Sequence, residues 1–237
     1  KWFTKYLHGI DNGVENDPKA WIVREGDKQT KPTPYADYPN PEAKKVDLFL
    51  LSGGNQMGTL QLKKGSKTQE TLVDDVNIDG ETLAKAKNSK NRLLYLTPAL
   101  KEDVHLSGLS QIEIRLASSK PAANLSVWLV SLPWNAADNS KIYDNIITRG
   151  WADPQNHKSL TDSEPLRPDT FYNLTFDLQP DDHIIPAGQQ IGLMIFSSDK
   201  EFTLHPEPGT ELTIDLAKTK VTLPVVGGKK ALEKALQ

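Results

Sequence analysis

Residues 181–216 read DDHIIPAGQQIGLMIFSSDKEFTLHPEPGTELTIDL, and this stretch decides the fold. Within it Ile191, Leu193 and Ile195 alternate with Gly192, Met194 and Phe196 in an almost wholly apolar run. A strand of that composition is covered on both faces. Pro186-Ala187-Gly188 just before it is turn chemistry: proline presets φ and glycine accepts a conformation that other residues resist. Leu212, Ile214 and Leu216 alternate with Thr213 and Asp215, the pattern of a half-buried strand. Two or three strands so close together, with no catalytic apparatus among them, predict the core of a β-sandwich.

Further strand signals recur outward from this stretch. The runs 46–51, 59–62, 92–97, 111–117, 125–132, 143–148 and 171–178 qualify, with a short candidate at 21–23 and a Ser-Gly-Gly-Asn turn at 52–55. In residues 110–118, Ile112, Ile114 and Leu116 face one way and Glu113 and Arg115 the other. Many short strands separated by turns predict an all-β sandwich or barrel. Helical signals are few. Residues 79–89 form a short helix with Asp79 as its cap and Glu81 in its first turn. Residues 229–237 read as a helical tail whose two leading lysines oppose the helix dipole and favour fraying. Residues 26–45 carry Pro32, Pro34, Pro39 and Pro41 with Tyr35 and Tyr38 between them, an ordered, extended connection.

The 237 residues suffice for one large β domain or two small ones, and a chain of that size buries roughly 70% of its unfolded surface. With no cysteine, disulfides, thiolate metal sites and thiol nucleophiles are excluded, and the expected compartment is the cytoplasm. A net charge of −3 with both signs interspersed gives no electrostatic argument for nucleic acid, and no apolar run is long enough to span a membrane. The chain opens on Lys1 rather than methionine, and Trp2, Phe3, Tyr6, Leu7 and Ile10 form a broad apolar stripe at helical spacing. Gly9 or Gly13 ends that helix in a left-handed cap. Such a stripe either lies against a body preceding it, as in a fragment of a longer chain, or folds back on its own domain.

The search for chemistry is largely negative. His8, His105, His157, His183 and His205 show no metal-ligand spacing, and no cofactor or metal is expected. His183 follows Asp181-Asp182, which could hold a cation, but the reading taken is a polar turn before a strand; His205 reads as a loop histidine. The nearest approach to a nucleophile elbow, Ser107-Gly108-Leu109-Ser110-Gln111, lacks the second glycine, so no serine qualifies as a nucleophile. Gly53, Gly54 and Gly58 are not a phosphate loop, because no Lys-Ser/Thr pair follows in register. The best binding-loop candidate is residues 148–157, where Trp151, Asp153, Asn156 and His157 gather as a strand opens into a loop. The competing reading has Trp151 plugging the end of the sandwich while the polar groups satisfy loop backbone.

Four segments resemble one family: TKYLHGIDNGVEN (4–16), LYLTPALKEDVHLSG (94–108), IITRGWADPQNHKSL (146–160) and DHIIPAGQQIGLMIFSSDKEFTLHPEPGTELTIDL (182–216). They are similar to the carboxyl-terminal part of the Xaa-Pro dipeptidyl-peptidases of lactic acid bacteria. These belong to a serine-hydrolase group that includes cocaine esterase and the α-amino-acid ester hydrolases. The resemblance implies a jelly-roll, galactose-binding-like sandwich over 46–237, with 1–45 as the helix and Pro-rich connection from a preceding α/β-hydrolase domain. It implies a parent serine protease, an aminopeptidase that releases Xaa-Pro dipeptides from peptide N-termini and that allows a homodimer. The family's triad residues precede the segment matching Trp2-Phe3, so no catalytic residue is carried over, His8 included, and this chain alone is expected to be inactive. Two other readings stay open: a carbohydrate-binding module, allowed by Trp2, Trp21, Trp128, Trp134 and Trp151, and a module for oligomer assembly.

Overall fold

A computed structural model describes residues 1–26, 31–65, 68–134, 145–206 and 208–237. The chain begins with helix α1 (Trp2–His8) and enters a two-stranded ladder of β1 (Ala20–Ile22) and β2 (Thr33–Tyr35). The sandwich strands follow: β3 (Ala43–Ser52), β4 (Met57–Gln61), β5 (Gln69–Val73), β6 (Arg92–Leu96), β7 (Val104–Gly108), β8 (Gln111–Ser118), β9 (Leu125–Leu132) and β10 (Ile146–Ala152). After them come β11 (Phe171–Asp177), β12 (Asp181–Ile185), β13 (Gln190–Phe196), β14 (Glu211–Asp215) and β15 (Lys220–Val226). Helix α2 (Gly80–Lys85) separates β5 from β6, and α3 (Gly228–Leu236) follows β15.

Among the described residues β3 to β15 form one continuous hydrogen-bonded system. Its main path runs β10-β9-β13-β6-β4-β3-β15-β8-β14-β5, with β11 on β8 and β7 joining β12 to β15. The pairings are antiparallel except β4 on β6. The chain is therefore all-β and sandwich-like, as expected.

Strand β13 shows why. Ile191, Leu193 and Ile195 lie in the main core with Leu48, Leu93, Leu129, Ile112 and Val221. The intervening Met194 and Phe196 lie in a second apolar cluster with Trp128, Val130, Ile146 and the α2 residues Leu83 and Ala84. Both faces are thus covered, one by the opposing layer and one by α2. That helix has the expected cap: Asp79 accepts from the Thr82 backbone N–H at 2.7 Å. Its C-terminal carbonyls are held by Arg92, a fully buried guanidinium that donates to Leu83 O at 3.3 Å and Ala86 O at 2.7 Å, and also to Gln56 O at 2.9 Å.

Several expectations need correction. Asp181-Asp182-His183 is not a polar turn but the start of β12, paired with β7. It is stable there because alternate side chains leave on opposite faces: Asp182 meets His105 Nε2 at 2.8 Å and accepts from Tyr35 Oη at 3.2 Å. The Pro-rich connection is not wholly without regular structure. It contains β2, and Tyr38 Oη donates to the Asp181 carbonyl at 3.0 Å. β5, β7 and β15 lie outside the strands predicted from the sequence; β15 (KVTLPVV) carries Pro224 in mid-strand, opposite Lys45 of β3. The strand expected at 143–148 is described from 145 onward and runs on to Ala152, so Trp151 lies on β10 itself and the loop starts at Asp153. The tail helix α3 is docked rather than loose, with Leu232 and Ala235 in the main core. Positions 27–30 of the connection, 143 and 144 of that strand, and Glu207 beside His205 lie outside the described residues.

Helix α1 ends at Gly9 in the left-handed conformation (φ 67°), as predicted. None of its residues is buried. Trp2, Phe3, Tyr6, Leu7 and Ile10 are all more than half exposed, and Trp21 and Val23 beyond it are similarly open. Of the two placements left open, packing of the stripe onto this domain is not what the structure has. Among the described residues no helix is long and apolar enough to cross a membrane.

Candidate functional site

The four predicted loop residues are brought together. Trp151, Asp153, Asn156 and His157 all line one cavity of about 200 Å³, together with Leu160, Leu174, Thr175 and Phe176. The local sequence explains the turn that gathers them. Asp153 accepts from the Gln155 N–H at 2.8 Å, and Pro154 follows it at the first position of a 3-10 turn, where a missing N–H costs nothing. Asn156 Nδ2 donates to Leu160 O at 3.1 Å, while its Oδ1 is buried without a hydrogen-bond partner. The His157 ring packs on Tyr172 with centroids 4.4 Å apart. Asp153, Asn156 and His157 thus shape the loop through its own backbone, leaving the Asn156 carbonyl oxygen as the buried polar atom free to accept.

Trp151 points toward a second group that the sequence reading did not assemble. Its indole N–H donates to Asp199 Oδ2 at 3.0 Å, and the Trp128 indole donates to the same oxygen at 2.9 Å. Asp199 is 1% exposed. Trp151 stacks on Phe202 with centroids 5.5 Å apart. Arg149 lies two residues before Trp151 and therefore on the same face of β10. Its guanidinium sits 4.6 Å from the Trp128 ring centroid and 4.9 Å from that of Phe202, a geometry of mutual attraction between cation and π face. This cluster borders a cavity of about 460 Å³ whose wall includes Asp79, Glu81, Lys85, Glu201 and Phe202. Arg149 was visible in the sequence as part of the loop segment. Asp199 and Phe202, some 50 residues later, carried no signal linking them to it.

The tryptophans do not form one platform. Trp128 is 3% exposed, so neither ring face is open. Trp134 lies under the Lys85 ammonium at 5.1 Å, and Trp2 and Trp21 are exposed at the α1–β1 end. Of the histidines, His105 is held by Asp182, and His205 stands in an exposed loop, 3.4 Å from Lys200 O. His183 is fully buried on β12. No serine stands beside a histidine and a carboxylate in a triad among the described hydrogen bonds.

The architecture is a β-sandwich that recurs as part of longer chains. An aminopeptidase from a marine-sediment Thaumarchaeota archaeon has this fold with a TM-score of 0.74 at 15% identity, covering 95% of this chain and 43% of that one. An α-amino acid ester hydrolase gives 0.73 at 15% identity, covering 94% and 43%. The sequence defines the module further: the chain belongs to the X-Pro dipeptidyl-peptidase C-terminal non-catalytic domain family, whose model matches residues 12–233. It is 60% identical over 234 residues to a putative Xaa-Pro dipeptidyl-peptidase of Rhodopirellula baltica, covering 98% of this chain and 37% of that protein. It is 28% identical to the Xaa-Pro dipeptidyl-peptidase of Lacticaseibacillus rhamnosus, over 94% of this chain and 32% of that one. The chain thus spans about a third of the length of the curated relatives it matches.

Proposed function

We propose that this domain is the accessory β module of a cytoplasmic serine exopeptidase that releases Xaa-Pro dipeptides. Residues 1–45 form the connection and 46–237 a jelly-roll sandwich, which docks on an α/β-hydrolase domain of the same polypeptide. The observation that carries this reading is the uncovered apolar stripe of α1 and β1. Trp2, Phe3, Leu7 and Trp21 are each 59–71% exposed, and a contiguous apolar surface of that kind marks an interaction site. Trp151 at the end of β10, with Asp153, Asn156 and His157 of the loop that follows, would form one wall of the substrate entrance. Chemistry in the partner domain is that of a serine triad with its oxyanion hole. This chain contributes position and shape, with no nucleophile of its own.

The test uses the full-length enzyme and the isolated domain side by side. Phe3→Glu with Leu7→Glu should lower turnover of an Xaa-Pro chromogenic substrate and expose the junction to protease, while the isolated domain turns over nothing. Hydrolysis by the isolated domain above the buffer rate would sink the accessory reading. Unchanged kinetics and protease resistance in the double variant would sink the docking face.

A further inference from the structure

Away from the Trp151 loop, two carboxylates and an imidazole converge where β12 meets the segment after β1. Asp181 and His183 stand two apart on β12 and so share a face. Glu25 is brought to that face by its backbone: Glu25 N–H donates to Asp182 O at 2.9 Å, and Ile184 N–H donates to Glu25 O at 2.8 Å, a parallel bridge between Glu25 and His183. His183 Nδ1 lies 3.5 Å from Asp181 Oδ2 and 3.9 Å from Glu25 Oε2, and one ligand atom from each of the three residues falls within 4.8 Å of the others.

The hydrogen bonding here is incomplete. His183 is 0% exposed, yet neither ring nitrogen has a hydrogen-bond partner. Asp181 Oδ2 is likewise buried without one. Buried polar groups are ordinarily satisfied, and each exception calls for a cause. The separations are too long for a directed N–H···O bond. They are close to what two atoms bound to one ion require: ligands at about 2.0–2.2 Å in a tetrahedron stand roughly 3.4 Å apart. The ring is seated by Gly26. A Cβ there would come within 2.1 Å of Ile184 O and 3.2 Å of His183 Nε2, and its φ is +72°, so the position suits glycine alone. With Nε2 on the Gly26 side, Nδ1 is the nitrogen that faces the carboxylates. Glu25 and Asp181 also line a cavity of about 190 Å³, which gives an ion a path in. Arg149 borders the same cavity, with its guanidinium over Trp128 and Phe202.

We propose that Glu25, Asp181 and His183 form a binding site for a zinc-class divalent cation that fastens the segment carrying Glu25 to β12. One imidazole nitrogen with two carboxylates suits Zn²⁺ and disfavours Mg²⁺, which takes oxygen ligands and keeps its water. Two carboxylates offset the ion's charge while the imidazole binds neutral. The role is structural: the ion joins residues 158 positions apart in sequence, at the point where the connecting segment meets the sandwich.

The test is direct. The purified protein, stripped with chelator, is titrated with Zn²⁺ and separately with Mg²⁺ in a calorimeter, and its melting temperature is followed with each. One Zn²⁺ per chain is expected, with a raised Tm that Mg²⁺ does not reproduce. Asp181→Asn and Glu25→Gln should each weaken Zn²⁺ binding by more than the roughly tenfold lost with an outer-shell partner. Both retain side-chain volume, so they report even where a His183 variant does not fold. Anomalous scattering at the zinc edge should place the ion at His183 Nδ1. No saturable Zn²⁺ binding below about 1 mM, or binding that both variants leave unchanged, overturns the site.

Discussion

Asp199 offers the sharpest test of how the Trp128–Trp151 cluster is held. A single buried oxygen accepts from two indoles, at 2.9 and 3.0 Å. Asp199→Ala leaves the Trp128 N–H buried and unpaired, while the partly exposed Trp151 N–H can turn to water. Hydrogen bonds to a charged acceptor contribute about 1.5–3 kcal/mol each, and a stranded buried donor costs about 1–3 kcal/mol. Removal of the buried charge's own desolvation penalty offsets part of this. The expected loss is about 3–5 kcal/mol, or a fall in Tm of roughly 6–20 °C for a chain of this size. Asp199→Asn keeps an acceptor oxygen in place and forfeits only the charge assistance, about 1–2 kcal/mol. Trp151→Phe keeps the stack on Phe202 and loses one bond. Because the two changes share that bond, Asp199→Ala combined with Trp151→Phe should cost about 1–2 kcal/mol less than the sum of the singles. Urea unfolding followed by tryptophan fluorescence measures all four. An Asn variant as unstable as the Ala variant, or an Ala variant that loses less than about 1 kcal/mol, would refute a shared acceptor at Asp199.

Two further outcomes rest on single contacts. Gly80→Ala should destabilise by about 1–3 kcal/mol, since a Cβ there would fall 2.3 Å from the Trp128 ring; thermal melts that match the wild type would show that the indole yields freely. Asp79→Ala should cost about 1 kcal/mol at neutral pH through loss of the α2 cap. The Thr82 N–H holds the Asp79 carboxyl below its usual range, so its contribution is complete above the unfolded carboxylate pKa and is lost as pH falls through the lower folded value. Stability curves of wild type and variant should therefore converge only in strong acid, and a gap that widens on acidification contradicts the assignment.

The sequence was most legible where composition alone settled an element. β13 could be placed, and its two-sided burial anticipated, because Ile191 to Phe196 contains no residue suited to water. The Asp79 cap, the Gly9 terminus and the Leu212/Ile214 alternation were readable for similarly local reasons. β12 was hidden because Asp-Asp-His carries the composition of a turn, and only Tyr35 and His105, remote in sequence, make a strand of it. β15 was hidden by Pro224, whose missing N–H argues against a mid-sheet strand. For the candidate site, the sequence reading could group Trp151, Asp153, Asn156 and His157 because they are neighbours in the chain, although Trp151 lies at the end of β10 and only the other three lie beyond it. Asp199, Phe202 and Glu25 join these groups only through tertiary contacts, which no spacing in a single sequence encodes.

The order of the strands also fixes when the domain can close. β15, the last of the described strands, lies between β3, the first of the large sheet, and β8. Until residue 226 has left the ribosome, β3 and β8 each present an unpaired edge, and the long-range ladder that joins the ends of the sheet cannot form. Closure of the sheet therefore waits for β15, whereas pairs such as β3 with β4 and β9 with β10 can form before it.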